Sequence, residues 1–526
     1  MKPKQGTKPT TAIIPFSSRV QVDVDLLEEP ELLFHQSVPR QNPKVGLTDS
    51  GPAGLDVGTH RREILVDVVG SGQTMEQVAG WLEKCRSSIL PRPGKERQSP
   101  AFPGFNAESK FECEFKVTCR PQAKVTATEI SNIVATTDKT VGFRNATSVF
   151  LEKVKAVCEE SPPDVVVCAL PDEIVEYCAE ASAEFLERSR ESPRSPQERL
   201  FRRMARIELA TGQMHLARKL FGEPEKGEGF VGRNFRRALK GLAMPVNRPL
   251  QIVTSKLFRD ATDGQDLPTK AWNFCVAMYY KGGGLPWRLE RLSRDTCFVG
   301  VSFFRNLGEK SHLMHTSLAQ VFSGEGDAVV IRGRRFEWKH DWEKSPHLGR
   351  EDAAHLIALA LSEYSKATGG TRPRRVVIHK TSAFWPLERD GFTEGLSSAS
   401  VSEYDLVNLQ QLGIRFFREG KYPPLRGTYC RLGSEKHILF TLGYVPYLGT
   451  YPRPYVPEPW ELCSHFGDTP PRRLFEEILS LTKMNFNNAS GADNEPITVR
   501  FARKVGEILS YVPEGDPIQP SYRFYM

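Results

Sequence analysis

Lys281 closes the run AWNFCVAMYYKGGGLPW, whose apolar spacing is that of a helix stopped by three glycines ahead of a Leu-Pro-Trp. Thirty residues upstream Gln251 opens the strand-like run QIVTSKLF, and before it FRRALK sets Arg236 and Lys240 four apart, on one face of a helix. Three cations and an amide at these spacings can converge on one anion. Phosphate suits such a set, because its oxygens accept several charge-assisted hydrogen bonds at once and a helix terminus adds further N–H donors. A lysine in the last turn of a helix also caps carbonyls or simply faces solvent, so Lys281 taken alone leaves both readings open.

The elements that would hold these side chains alternate along the chain. REILVDVVG reads as a strand, TMEQVAGWLEKC as an amphipathic helix, CEFKVTC as a strand, TSVFLEKVKAVCEE as a helix and DVVVCAL as a buried strand. This is the order expected of a Rossmann-like α/β sheet. Further on, DTCFVGVSFFR and RRVVIHKTSAFW are buried strands by their apolar runs, with DAAHLIALALSEY a helix between them. Two stretches interrupt the pattern. PRPGKERQSPAFPG (residues 91–104) reads as a turn-rich surface loop, and RSRESPRSPQERLFRR (residues 188–203), with six arginines, as a mobile insertion that either contacts phosphates or is a solvated linker. The single G-x-G of VVGSGQT lacks the third glycine of a dinucleotide site.

Taken together, Arg236, Lys240, Gln251 and Lys281 resemble the 5′-phosphate pocket of the MID domain of Argonaute proteins, although Arg236 stands where family members more often carry Tyr or His. The strands and helix after residue 291 resemble the PIWI domain that follows MID in that family. HILFTLGYVPYLGTYPRPYVPEP resembles its late strand and Pro-rich segment, and LSLTKMNFNNAS and ITVRFARKVGEIL its last two helices. The resemblance implies an α/β chain made of a lead-in (residues 1–58), a Rossmann-like MID domain (59–290) and a ribonuclease H-like PIWI domain (291–526).

A cleaving PIWI domain holds two Mg²⁺ ions on carboxylates, the hard oxygen ligands that ion requires. Active relatives carry Asp where this chain has Ser302 in VGVS and Thr381 in IHKT, and a closing ligand where it has Arg503 in FAR. Two hydroxyls and a guanidinium cannot hold two such ions, so the nuclease centre is expected to be inactive. Arg500 and Lys504 flank Arg503 and read either as contacts to a nucleic-acid backbone or as a solvated helical face. An alternative places a displaced metal site on Asp295, Glu388 or Asp390.

The resemblance further implies a short prokaryotic Argonaute: a short guide RNA or DNA, a complementary target DNA, and an APAZ-containing effector partner (TIR, sirtuin-like or nuclease) that answers target binding in defence against plasmids or phage. In relatives a Mg²⁺ at the guide 5′ phosphate is shared with the C-terminal carboxylate, here that of Met526. A protein binding nucleic acid without a guide is the other open reading.

Composition is compatible with all of these. Thirty-nine per cent apolar and 26% charged residues describe an ordinary globular chain, and the net charge of +7 suits a basic channel without requiring one. Ten cysteines without a C-x-x-C pair argue for buried thiols rather than a zinc or disulfide framework. No run approaches eighteen apolar residues and the N-terminus lacks a signal-peptide core, so a cytoplasmic protein without membrane contact is expected.

Overall fold

The computed structural model describes residues 22–179 and 230–526, apart from 59, 95, 97–98, 261–264, 291, 294, 305–312, 323–327, 338–345, 422, 434–435, 452–455 and 514. The N-terminal tail and the arginine-rich run at 188–203 lie outside the described residues.

The described chain begins with β1 (Val22–Leu26), β2 (Leu32–Leu33), β3 (Pro39–Arg40) and α1 (Pro43–Asp49), the last started by the Asn42 side chain accepting the Lys44 N–H. Next comes a four-stranded parallel sheet in the order β5-β4-β6-β7, formed by β4 (Glu63–Gly70), β5 (Glu114–Thr118), β6 (Val165–Leu170) and β7 (Leu250–Thr254). Every residue of β6 is buried, as a central parallel strand covered on both faces must be. Its helices are α2 (Gly72–Cys85), α3 (Ala127–Val134), α4 (Lys139–Glu160), α5 (Phe230–Leu242) and α6 (Leu267–Lys281). Ser71, Thr126, Asp138 and Asp266 cap α2, α3, α4 and α6 by accepting first-turn N–H groups.

β8 (Arg288–Leu289), which pairs with β2, leads into a nine-stranded mixed sheet. Its members are β9 (Thr296–Phe304), β10 (Leu313–Phe322), β11 (Ala328–Glu337), β12 (Arg375–Lys380), β13 (Glu403–Gln411), β14 (Thr428–Leu432), β15 (Lys436–Leu439) and β16 (Trp460–Phe466), joined by β1. The order is β1-β14-β15-β16-β13-β12-β9-β10-β11. β9, β12 and β13 run parallel, and β10 and β11 continue antiparallel from β9. α7 (Arg350–Ala367) and α8 (Pro386–Ser398) enclose a second apolar core on one face, while α9 (Pro471–Leu481) and α10 (Ile497–Leu509) join a core that runs on into the first unit. At the starting ends of the parallel strands Arg375 ties Asp405 (2.8 Å) to Glu477 (2.7 Å). Burial acts to raise the Asp405 carboxyl, but bonds from His465, Arg375 and Thr469 hold it down to about 2.

Several expectations change. The strand-rich lead-in joins the larger unit: β1 completes the far edge of the large sheet, and Glu29 binds Arg426 (2.9 Å) and Lys483 (2.6 Å) within it. In QIVTSKLF only the first part is strand, because Ser255–Leu257 turns into a 3₁₀ helix. The run from Thr482 to Ser490 is irregular rather than helical, since amides compete with the backbone: Asn485 donates to Asp493 (2.6 Å) and Asn488 accepts the Ser490 N–H (3.0 Å). The supposed surface loop at 91–104 docks on α6, where Trp272 donates to the Ala101 carbonyl (3.1 Å) and Ser99 bonds Asp266 (2.5 Å). Most cysteines are buried as expected, but Cys119 and Cys463 are exposed. Among the described residues no helix is long and apolar enough to cross a membrane.

Candidate functional site

α5 turns Phe235, Ala238 and Leu239 into the core, with Phe235 edge-on to Phe150, and this leaves Arg236 and Lys240 half-buried a turn apart on the other side. β7 carries Gln251 at its start, and α6 ends on Lys281. Lys281 is 2% exposed, and its ammonium donates to the Gln251 side-chain oxygen (2.5 Å) and to the Leu250 carbonyl (3.0 Å). The three glycines that follow are dictated by packing: a Cβ at Gly282 would lie 2.7 Å from Ile64, one at Gly284 would lie 2.2 Å from the Tyr279 ring, and Gly283 has φ +104°. Burial pushes the Cys168 thiol of β6 up to about 12, with Lys240 and Lys281 both close enough to act on it in the opposite sense. Both lysines therefore lie within electrostatic reach of one residue of β6.

Lys240 also donates to the main-chain oxygen of Met526. The chain's last segment is stitched across both units to make this possible. Val330 N–H donates to the Pro520 carbonyl (2.6 Å), Gln519 donates to the Met244 carbonyl (3.1 Å), and the Tyr522 ring stacks on Phe501 at 4.5 Å. α5 and α10 meet directly through Arg237 and Glu507 (2.6 Å), and a Cβ at Gly241 would lie 2.9 Å from the Ile508 carbonyl. The aromatic run YRFYM is the sequence signal that this whole segment, not Met526 alone, anchors rather than trails.

In the large sheet, Lys380 is level with Val301 on β9, which sets Thr381 beside Ser302 at the ends of adjacent parallel strands. α10 crosses these strands at Gly300, where a Cβ would lie 2.1 Å from the Thr498 carbonyl, and His379 bonds the Thr498 hydroxyl (2.8 Å). Arg503, farther along α10, is exposed and paired with Glu495 (2.5 Å). Arg500, expected as a possible backbone contact, is interior instead: it is 2% exposed and paired with Asp493 (3.3 Å). Lys504 is half-buried.

The acids of the displaced-site alternative do not converge. Glu388, fully buried, accepts from Lys380 (2.6 Å to each oxygen), from the Leu348 N–H (3.1 Å) and from the Trp385 N–H (3.3 Å). Asp295 pairs with Arg374 (2.9 Å) just before β9, about 23 Å from Ser302 at ~3.3 Å per strand residue. Asp390 lies exposed on α8. Among the described residues no three His, Cys, Asp or Glu side chains form a metal-holding group.

No protein-family model matches the chain. The Protein argonaute of Aquifex aeolicus (strain VF5) is 21% identical over 262 residues, 50% of this chain and 34% of that protein. The structure of Clostridium butyricum Argonaute bound to a guide DNA and a 19-mer target DNA superposes with a TM-score of 0.55 at 14% identity, covering 94% of this chain and 54% of that one. Drosophila Piwi gives a TM-score of 0.55 at 12% identity, over 96% and 56%. The chain is an Argonaute homologue. The match spans about a third of the curated Argonaute and little more than half of each solved structure. Its fold is that of the Argonaute and Piwi structures. Within that fold Lys240, Lys281 and Gln251 gather at the junction of the two units, and Ser302 and Thr381 share one strand-end edge of the larger.

Proposed function

We propose that this Argonaute homologue holds a short guide strand by its 5′ phosphate and uses it to recognise a complementary nucleic acid without cutting it. The observation that carries the reading is the gathering of Lys240, Lys281 and Gln251 around one point of the first sheet, beside the main-chain oxygen of Met526. An incoming phosphate takes over as acceptor for both ammonium groups, with Arg236 one turn away supplying a further guanidinium. The guide then runs across the strand ends of the larger unit, and base pairing selects the target.

The Met526 main-chain oxygen and the Gln251 amide oxygen would suit a Mg²⁺ only in company with ligand phosphate, the usual mix for this ion, and such an ion would neutralise phosphate charge there. At the other edge Ser302, Thr381 and Arg503 offer two hydroxyls and a cation, which supports recognition without hydrolysis. Output then passes to a partner, and the short-Argonaute reading assigns that role to an APAZ-containing effector in prokaryotic, cytoplasmic defence.

The test is to purify the chain, sequence the nucleic acid it carries, and compare its affinity for one oligonucleotide with a 5′ phosphate or a 5′ hydroxyl. A strong preference for phosphate, lost in Lys281→Ala, together with an intact matched target in Mg²⁺ or Mn²⁺, is the expected result. Equal, salt-sensitive affinity for both ends would instead make this a guide-independent binder.

A further inference from the structure

Gly283, half-buried between the buried Gly282 and Gly284, is reached by two arginines from opposite ends of the chain. A Cβ on it would lie 3.4 Å from Nη1 of Arg523 and 3.7 Å from Nε of Arg61. The two nitrogens are therefore within about 7 Å of each other, a separation that one phosphate group bridges with a hydrogen bond to each. The φ of +104° calls for glycine here, and the missing side chain leaves room beside both guanidiniums.

Both side chains are held in place. Arg61 pairs with Asp164 (2.5 Å), whose other oxygen accepts the Leu65 N–H (2.9 Å), so its guanidinium is fixed where β4 and β6 begin. Arg523 lies on the 3₁₀ turn Tyr522–Phe524 and donates from Nε to the Ser521 hydroxyl (3.1 Å). Among the described residues Arg523 pairs with no carboxylate, so the two guanidiniums share one acid, Asp164. Arg61 is exposed and Arg523 half-exposed. Like charges this close repel, and an anion between them relieves the repulsion.

The position of the pair decides which anion that is. Gly283 lies two residues past Lys281, and Arg523 three residues before Met526, whose main-chain oxygen accepts from Lys240. The pair thus adjoins the pocket read as holding a 5′ phosphate, a short step along a strand that rises ~3.4 Å per nucleotide. We propose that Arg61 and Arg523 clamp one internal phosphate of the guide close behind its 5′ end. The inference rests on the guide reading above and adds a second anion contact to it. Gripped at two phosphates, the strand leaves the pocket in one fixed direction, and its sequence is not read by the contact.

The experiment uses the full chain and a 5′-phosphorylated oligonucleotide in which a neutral methylphosphonate replaces one linkage at a time, with affinity read by fluorescence anisotropy over a salt series. Arg523→Ala should weaken binding roughly tenfold and lower the salt slope by ~0.7, the loss expected for one contact to a single strand. A methylphosphonate at one linkage, within about the first three, should do the same, and combining it with Arg523→Ala should cost little more. Arg61→Ala should be silent at that same linkage, and Arg523→Lys should keep most of the slope. A penalty from Arg523→Ala that adds in full to every methylphosphonate, or a salt slope that does not move, would overturn the clamp. An intact preference for the 5′ phosphate in those assays would leave the guide reading standing. No such preference in the wild-type chain would overturn the guide reading, and the clamp with it.

Discussion

The Lys240 ammonium donates to the main-chain oxygen of Met526, a residue 286 positions later in the chain. The bond crosses from the first α/β unit to the end of the second, and it puts one acceptor directly beside the cations read as a phosphate pocket. A ligand there competes with that oxygen for the Lys240 ammonium.

Lys240→Ala should therefore weaken binding of a 5′-phosphorylated strand by tenfold or more. A charge-assisted hydrogen bond is worth about 1.5–3 kcal/mol, which sets that scale. Fluorescence anisotropy with phosphorylated and unphosphorylated oligonucleotides measures it. Unchanged affinity in the variant would remove Lys240 from the site.

Glu388 should prove structural. Its carboxylate is enclosed with Lys380 at 2.6 Å, and stranding one member of a buried pair costs about 3–5 kcal/mol. Glu388→Gln should lower the melting temperature by many degrees, whereas Lys380→Met with Glu388→Leu should recover a good part of the loss. A Glu388→Ala chain that melts normally but loses Mg²⁺-dependent cleavage would revive the displaced metal site.

The cations of the pocket were legible because helix periodicity and turn glycines fix where a side chain can point. α6 ends where KGGG said it should, and Lys281 lies next to Gln251 across thirty residues. What escaped were contacts set by tertiary competition. Arg500 shares a helix with Arg503, but only the fold reveals that Asp493 faces it from a loop and draws it inside. β1 alternates Val and Asp like any edge strand, and nothing local says that it pairs with β14 some four hundred residues on. Phe416 and Phe417 are identical as letters; the ring of Phe440 decides which one is half-buried and which is exposed.

Stability should fall with acid through His379. Burial in the sheet core pushes this imidazole from its usual 6.5 down to about 3, with Arg375 acting in the same direction. Between those values the unfolded chain binds a proton that the folded chain refuses, so stability is complete above pH 6.5 and declines as pH drops toward 3. One group contributes up to about 1.4 kcal/mol per pH unit. Urea unfolding from pH 7 to pH 4 should show this slope, and His379→Asn should flatten it. Parallel slopes in the two proteins would assign the acid sensitivity elsewhere.

Gly300 should link the two units. A Cβ there would lie 2.1 Å from the Thr498 carbonyl, a backbone atom that cannot swing aside, so Gly300→Ala must push α10 away from β9. Overpacking of this kind costs about 1–3 kcal/mol, and the melting temperature should drop accordingly. α10 also carries Glu507, which holds Arg237 of α5 at 2.6 Å, and α5 carries Lys240. The displacement should therefore weaken 5′-phosphate binding as well, although Gly300 lies in the other sheet and far from the pocket in sequence. A chain that is less stable yet binds the phosphate with full affinity would mean that α10 yields locally and that the two sites are mechanically independent.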